Sequence, residues 1–177
     1  AALLQKDFRH FIGNPMYVLN AWMGEILLVV ACVAILIKKD ILTELLPILN
    51  GQGDAIGLIL CVTLCGLSCT NLITAPSISL EGKNLWIAQP IPVPAATVLR
   101  AKVKLQMLLC IPITVLTAVV MGLTLRLPVP MLAMVILLTA AFNTFTALLG
   151  VVVNLRFPRF DYLNETAVIK QSMSTMI

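Results

Sequence analysis

Glu25 is the one acidic residue inside the long apolar run Met16–Ile37. A carboxylate in hydrocarbon is costly and has to face protein, water or a partner. Ile26–Ile37 gives about 18 Å of helix, too short to cross a bilayer alone. Glu25 is therefore expected in the inner half of the hydrocarbon, or lining water there. Two readings stay open: it lines a transport path or pairs with a cation elsewhere in the assembly, or it snorkels or stays protonated near the inner interface. Asn20, Asn71, Asn143 and Asn154, with Thr114, Thr117, Thr144 and Thr146, punctuate the apolar runs. Interhelical hydrogen bonding, worth about 1 kcal/mol each, is their ordinary role. Asn143 is the deepest and the candidate for substrate contact.

Other chemistry is hard to assemble. The single histidine, His10, falls on the polar face of a short amphipathic segment, and no paired carboxylates or activated nucleophile stand together. No catalytic residue is therefore expected, and an intramembrane enzyme is a poor reading. All five cysteines fall in apolar runs, which argues against a secreted disulfide framework. Cys61, Cys65 and Cys69 recur every fourth residue with Gly57, a small-residue face that lets another helix approach closely. No His or carboxylate shares that face, so no metal site is expected. A Gly-x-x-x-x-Gly-Lys-Ser/Thr loop is also missing: Gly82-Lys83 is followed by Asn84 and preceded by no matching glycine.

These residues sit in a chain of 177 residues, 60% apolar and 11% charged, with mean hydropathy +1.02. Four runs, Met16–Ile37, Ala55–Ile73, Val103–Leu125 and Met131–Leu155, approach the roughly 20 residues needed to cross about 30 Å of hydrocarbon. The spacing predicts an all-α polytopic membrane protein with four transmembrane helices in one transmembrane domain, residues 1–177. The net charge of +4 is no sign of nucleic-acid binding, because Lys and Arg gather at helix ends, where lipid headgroups lie, with no basic stripe and interleaved aromatics. Nine of them (Lys6, Arg9, Lys83, Arg100, Lys102, Lys104, Arg156, Arg159, Lys170) fall on one predicted side. Only Lys38, Lys39 and Arg126 fall on the other. Positive charge favours the cytoplasmic side, so both ends are expected there.

Ahead of the first run, residues 1–13 place Leu3, Leu4, Phe8, Phe11 and Ile12 on one half of a helical wheel and Gln5, Lys6, Arg9 and His10 on the other, with Asp7 the exception. This predicts an interfacial helix, ended at Gly13-Asn14-Pro15. Outer loop Lys38–Asp54 carries a second short surface pattern at Ile41, Leu42, Leu45 and Leu46. Pro112 should kink the third span, while Pro128 and Pro130 tighten the turn to the fourth. The inner loop, residues 74–102, is the most informative polar stretch. Ser77 or Ser79 can cap a short helix with Glu81 in its first turn, and Leu80, Leu85, Trp86 and Ile87 give it an apolar face. Pro90, Pro92 and Pro94 stiffen the chain beyond that helix. No internal repeat relates spans 1–2 to 3–4, which weakens an inverted-repeat transporter reading.

The run Ser79-Leu-Glu81-Gly82-Lys83-x-x-Trp86, followed by Pro90 and Pro92, resembles the inner loop of type-2 ABC exporter permeases, in particular those of Gram-positive anaerobes. Lys6-Asp7-Phe8-Arg9 with Asn14–Asn20 looks like their elbow and first span. Asn154–Asp161 looks like their exit from a later span, and Asn164-Glu165 with Val168–Ser172 like the following cytosolic segment. The resemblance implies an elbow helix and a coupling helix that docks on a separate nucleotide-binding ATPase through Glu81, Gly82, Lys83 and Trp86. It implies no cofactor of the chain's own, ATP being bound by that partner. It further implies pairing with a second permease copy or homologous half, contact with membrane lipids, and a bacterial plasma membrane with residues 156–177 cytosolic. Such permeases have six spans, so this chain, which starts at Ala1 and has four runs, is expected to be a fragment lacking carboxy-terminal spans. The function so implied is export driven by a separate ATPase. The alternative is a non-transporting scaffold or regulator that anchors a cytosolic partner through the same loop.

Overall fold

The computed structural model describes residues 2–38, 53–84 and 94–158. The loop pattern at Ile41–Leu46, Trp86 with Pro90 and Pro92, and the segment after Pro158 all lie outside them. Among the described residues the chain is all-α, with six α-helices and one short 3-10 turn. Helix α1 (Ala2–Gly13) ends where Asn14 turns extended, at φ −116° and ψ 96°, and its side chain accepts from the Tyr17 amide at 3.2 Å. Pro15 then opens α2 (Pro15–Ala21), where a missing amide proton costs nothing. Phe11 packs edge-on against Tyr17 with ring centroids 5.0 Å apart, so the sharp turn is held by buried aromatics. Of the expected apolar face of α1, Phe11 is buried, whereas Phe8 and Ile12 stay exposed.

The first span departs from the expected unbroken Met16–Ile37 helix. Helix α2 and helix α3 (Met23–Ile37) meet at Trp22 with a bend of 68°. The cause is visible in the backbone ladder. The Glu25 amide, which in a continuous helix would bond the Ala21 carbonyl, instead donates to Asn71 Oδ1 at 3.2 Å. The Ala21 carbonyl accepts from the Leu72 amide at 2.9 Å. A strand of irregular chain has inserted into the helix, a known origin of sharp kinks.

That inserted chain comes from the second run. Helix α4 (Gly53–Ser68) has 16 residues, not the expected Ala55–Ile73, and the chain from Cys69 to Ile78 is irregular. Gly57 presses on Met131 and Cys61 is buried with Val135, so the small-residue face does meet a helix, at its Gly57 end. Cys69 is exposed. Residues Ser79–Asn84 then form the 3-10 turn with Glu81 in its first turn. Ser77 Oγ donates to the Thr74 carbonyl at 2.7 Å rather than capping that turn.

Helices α5 (Ala95–Thr124) and α6 (Val129–Arg156) form the most extensive helix pair. The α-helix of α5 is assigned without a break through Pro112. It ends in a Schellman arrangement: Leu127 N donates to the Gly122 carbonyl at 2.9 Å and Arg126 N to the Leu123 carbonyl at 3.2 Å. Arg126 takes the left-handed position, at φ 54°. Pro128 and Pro130 then start α6 directly.

By length and apolar composition α5 and α6 can cross a membrane, and the bent α2–α3 pair makes a third candidate. Helix α4 falls short, so four full-length spans become two or three among the described residues. Outward faces carry Leu116, Leu123, Leu137, Phe145 and Val152, apolar surface that in water would be costly.

A Cβ on Gly24 would strike the Leu67 carbonyl and lie 2.5 Å from Thr70 Oγ1 and 2.9 Å from Asn71 Oδ1. Gly24→Ala should therefore cost about 1–3 kcal/mol. Gly66→Ala, which meets nothing within 4 Å, should be neutral or slightly stabilising. Thermal unfolding of both variants in lipid nanodiscs checks the contrast, and equal midpoints would refute the close approach.

Candidate functional site

The polar side chains inside the helices divide into two sets: Asn20, Thr124, Thr139, Thr144 and Thr146 bond carbonyls of their own helix, while others reach the irregular segment Cys69–Ile78. Helix α5 buries Lys102, Gln106, Cys110, Thr114 and Ala118 at four-residue steps, one stripe of a helix. Helix α6 does the same with Met131, Val135, Thr139, Asn143, Ala147 and Val151, closed by Asn154. The outer parts of the stripes, Ala118, Met131 and Val135, pack with α4, while Gln106 and Asn154 bond the inserted chain's backbone. Gln106 Oε1 accepts from the Thr74 amide at 3.0 Å and the Thr74 hydroxyl at 2.9 Å, while its Nε2 donates to the Asn71 carbonyl at 3.2 Å. Asn154 Oδ1 accepts from the Ser79 amide at 3.0 Å, and its Nδ2 donates to the Ala75 carbonyl. Tyr17 donates its hydroxyl to the Ile73 carbonyl.

Glu25 and Asn143 are brought together at the upper end of this arrangement. Glu25 is 1% exposed; its Oε1 accepts from Asn71 Nδ2 at 3.0 Å and lies 3.0 Å from Thr114 Oγ1. Thr114 has one hydroxyl proton to share between Glu25 and the Cys110 carbonyl at 2.8 Å. Asn143 Nδ2 reaches Thr114 Oγ1 at 3.3 Å, Ser68 Oγ at 3.2 Å and the Thr139 carbonyl at 3.2 Å. A single polar cluster thus joins α3, α4, α5, α6 and the irregular segment.

A second cluster lies at the lower end. Lys102 Nζ, with its side chain 4% exposed, sits 3.3 Å from Glu81 Oε1, 3.8 Å from Asp7 Oδ1 and 3.1 Å from the Ser77 carbonyl. Lys6 reaches Glu81 Oε1 at 2.8 Å from the exposed side. Around these groups is a cavity of about 170 Å³, also lined by His10, Tyr17 and Leu105. Burial holds the Asp7 carboxyl above its usual value, with Lys102 pulling it back and Glu81 pushing it further up. Burial pushes Glu81 up as well, but Lys102 and Lys6 outweigh it and leave that carboxyl below the ordinary range. The 3-10 turn is in this way ionically tied to α1 and to the base of α5.

Of the residues expected to meet an ATPase, Glu81 is thus tied inward, Gly82 and Lys83 continue the same turn, and Trp86 lies outside the described residues. Two members escaped the sequence reading. Gln106 sits in an apolar run, and its one signal was the four-residue polar register with Lys102 and Thr114. Asp7 broke the pattern of the α1 wheel, and the exception is explained by Lys102. Among the described residues no three His, Cys, Asp or Glu side chains converge to hold a metal. The two clusters contain no activated nucleophile; they are built to fix one piece of backbone against four helices.

A family described as "Putative ATP-binding cassette" matches residues 1–172, and the chain belongs to that family. No curated protein and no solved structure matches it.

Magnitudes separate the two lysines. Lys102→Met leaves Asp7 without a cation and Glu81 with Lys6 alone, both carboxylates half-buried, and should cost about 2 kcal/mol. Lys6→Met removes an exposed pair worth about 0–1 kcal/mol. For Glu81, whose folded pKa is depressed, the stabilising contribution is present above its usual 4.5 and lost as pH falls through the folded value. Glu81→Gln should flatten that acid loss, as read by thermal unfolding against pH. For the inserted chain, Gln106→Leu should cost about 2–4 kcal/mol by orphaning the Thr74 amide and Asn71 carbonyl. Faster amide exchange at Thr74 would accompany it.

Proposed function

We propose that this chain is the transmembrane permease subunit of an ATP-driven ABC exporter, and that the Ser79–Asn84 turn is where a separate ATPase subunit presses. The reading joins family membership to a sequence without a P-loop, so ATP hydrolysis is assigned to a partner. The observation that carries it is the tie from Glu81 to Lys102 and Lys6. A push on this turn is delivered to the base of a 30-residue helix and to an amphipathic helix at once.

In this reading the lysine-rich side is cytosolic, in keeping with the positive charge at the ends of α5 and α6. ATP binding favours one arrangement of the paired ATPases over another, and that differential affinity is what drives the turn. Glu81 carries displacement inward, and Lys83, next but one on the turn, supplies charge to the contact. Two copies, or this chain and a homologous half, enclose the transport path in the bacterial plasma membrane, and the exposed apolar faces meet lipid or that partner.

Co-expression with an ABC ATPase subunit tests both parts. Lys83→Glu or Trp86→Ala should weaken co-purification at least about tenfold, the scale of one lost charged or aromatic contact at an interface. ATP-dependent movement of substrate by the full assembly in proteoliposomes is the decisive measurement. An ATPase-bound complex that moves nothing would instead make the chain a non-transporting scaffold.

A further inference from the structure

Glu25 is placed where its charge has no counterpart. Its Oε1 is satisfied by Asn71 and Thr114, but Oε2 is buried and has no hydrogen-bond partner among the described residues. Asn143 Oδ1, two hydrogen bonds away through Thr114, is a second buried oxygen in the same state. Both of these orphans are acceptors; the third buried unpartnered group among the described residues, Trp22 Nε1, is a donor beside Cys110 that bonds neither of them. The elements around Glu25 bring no cation: Asn71 comes from the irregular segment, Ser68 from α4 and Asn143 from α6. Helix α5 brings Thr114 and the thiol of Cys110, the one titratable neighbour whose charge acts on Glu25 or is acted on by it. The described ion pairs all belong to the lower cluster.

A bare carboxylate buried without a cation is among the costliest arrangements a protein can hold. Something positive has to neutralise it. A metal ion needs a cavity and several converging oxygens, and neither Glu25 nor Asn143 lines any of the described cavities. A proton needs no room and turns Oε2 from an orphan acceptor into a donor. We propose that Glu25 is an intramembrane proton-binding site, occupied in this arrangement, whose proton is released when the α3–α5–α6 contact opens and the carboxyl is hydrated.

The proposal concerns a group apart from the ATPase-coupling turn and stands or falls separately. Its consequence is a linkage: the closed arrangement binds one proton more than an open, hydrated one. The closed-to-open ratio should therefore fall by about tenfold for each unit of pH rise over the range where the hydrated carboxyl is ionised and the closed one is not. Glu25→Gln imitates the protonated acid, keeps an oxygen for Asn71 and Thr114, and cannot titrate.

The experiment uses the full-length protein in lipid nanodiscs. Infrared difference spectra between acid and alkaline pH should show the C=O stretch of a buried protonated acid that Glu25→Gln abolishes. Thermal stability should decline with rising pH in the wild type, and Glu25→Gln should lessen that decline while keeping the fold, the share due to Asp7 remaining. If Gln does not fold, Thr114→Val, which leaves the carboxyl in place, should still show the acid band, shifted by loss of the hydroxyl. Absence of the band from every folded variant that retains Glu25 would overturn the proposal, as would a pH response unchanged in Glu25→Gln. Stabilisation of the wild type by sodium over choline at fixed pH would overturn it too, by assigning the site to a metal cation.

Discussion

The insertion of Asn71–Leu72 between Ala21 and Glu25 is the constraint on which the remaining structure depends. One helical hydrogen bond is exchanged for two tertiary ones, from Glu25 N to Asn71 and from Leu72 N to Ala21. The exchange bends the first span by 68° and ends α4 at Ser68. It also draws Gly24 so close to Leu67–Asn71 that no side chain fits there. Backbone that leaves its helix inside an apolar environment has no water to turn to, so each freed group must meet a protein partner. Gln106 and Lys102 of α5 and Asn154 of α6 meet that demand.

Those partners are amides for a physical reason. Gln106 and Asn154 each offer a donor and an acceptor on one rigid group, so a single side chain satisfies an N–H and a C=O of the irregular chain together, while Asn71 turns the same two functions outward onto Glu25. A hydroxyl could serve only one donor role at a time, and a charged side chain would bring a desolvation cost that the apolar surroundings magnify. Gly150 makes room on α6, where a Cβ would run into Thr74. The segment is consequently held from α2, α3, α5 and α6 at once, and its lower end leads straight into the turn at Ser79–Asn84.

The lower cluster differs in kind. Its groups are charged and only partly shielded, and two carboxylates share one buried lysine with an exposed lysine in support. Amides hold the upper part of the segment by geometry, while charge holds its lower end by attraction that water and salt can modulate.

The long apolar helices were legible from the sequence because hydrocarbon thickness imposes a length, and α5 and α6 meet it. Asn14-Pro15 was legible too, since proline restricts the residue before it. The break at Trp22 was not. Within Ala21–Glu25 only Gly24 disfavours helix, by about 1 kcal/mol, too little to break one; the interruption is imposed by residues some 46 positions later, through bonds that only tertiary contact makes. The same holds for the early end of α4, whose apolar composition continues past Ser68 while its hydrogen bonds do not. Composition and periodicity thus determined that the chain is helical and belongs with lipid. Which helices are whole, and which polar residues are spent on backbone, was decided by long-range pairing, because a hydrogen bond exchanged between distant segments leaves no trace in local propensity.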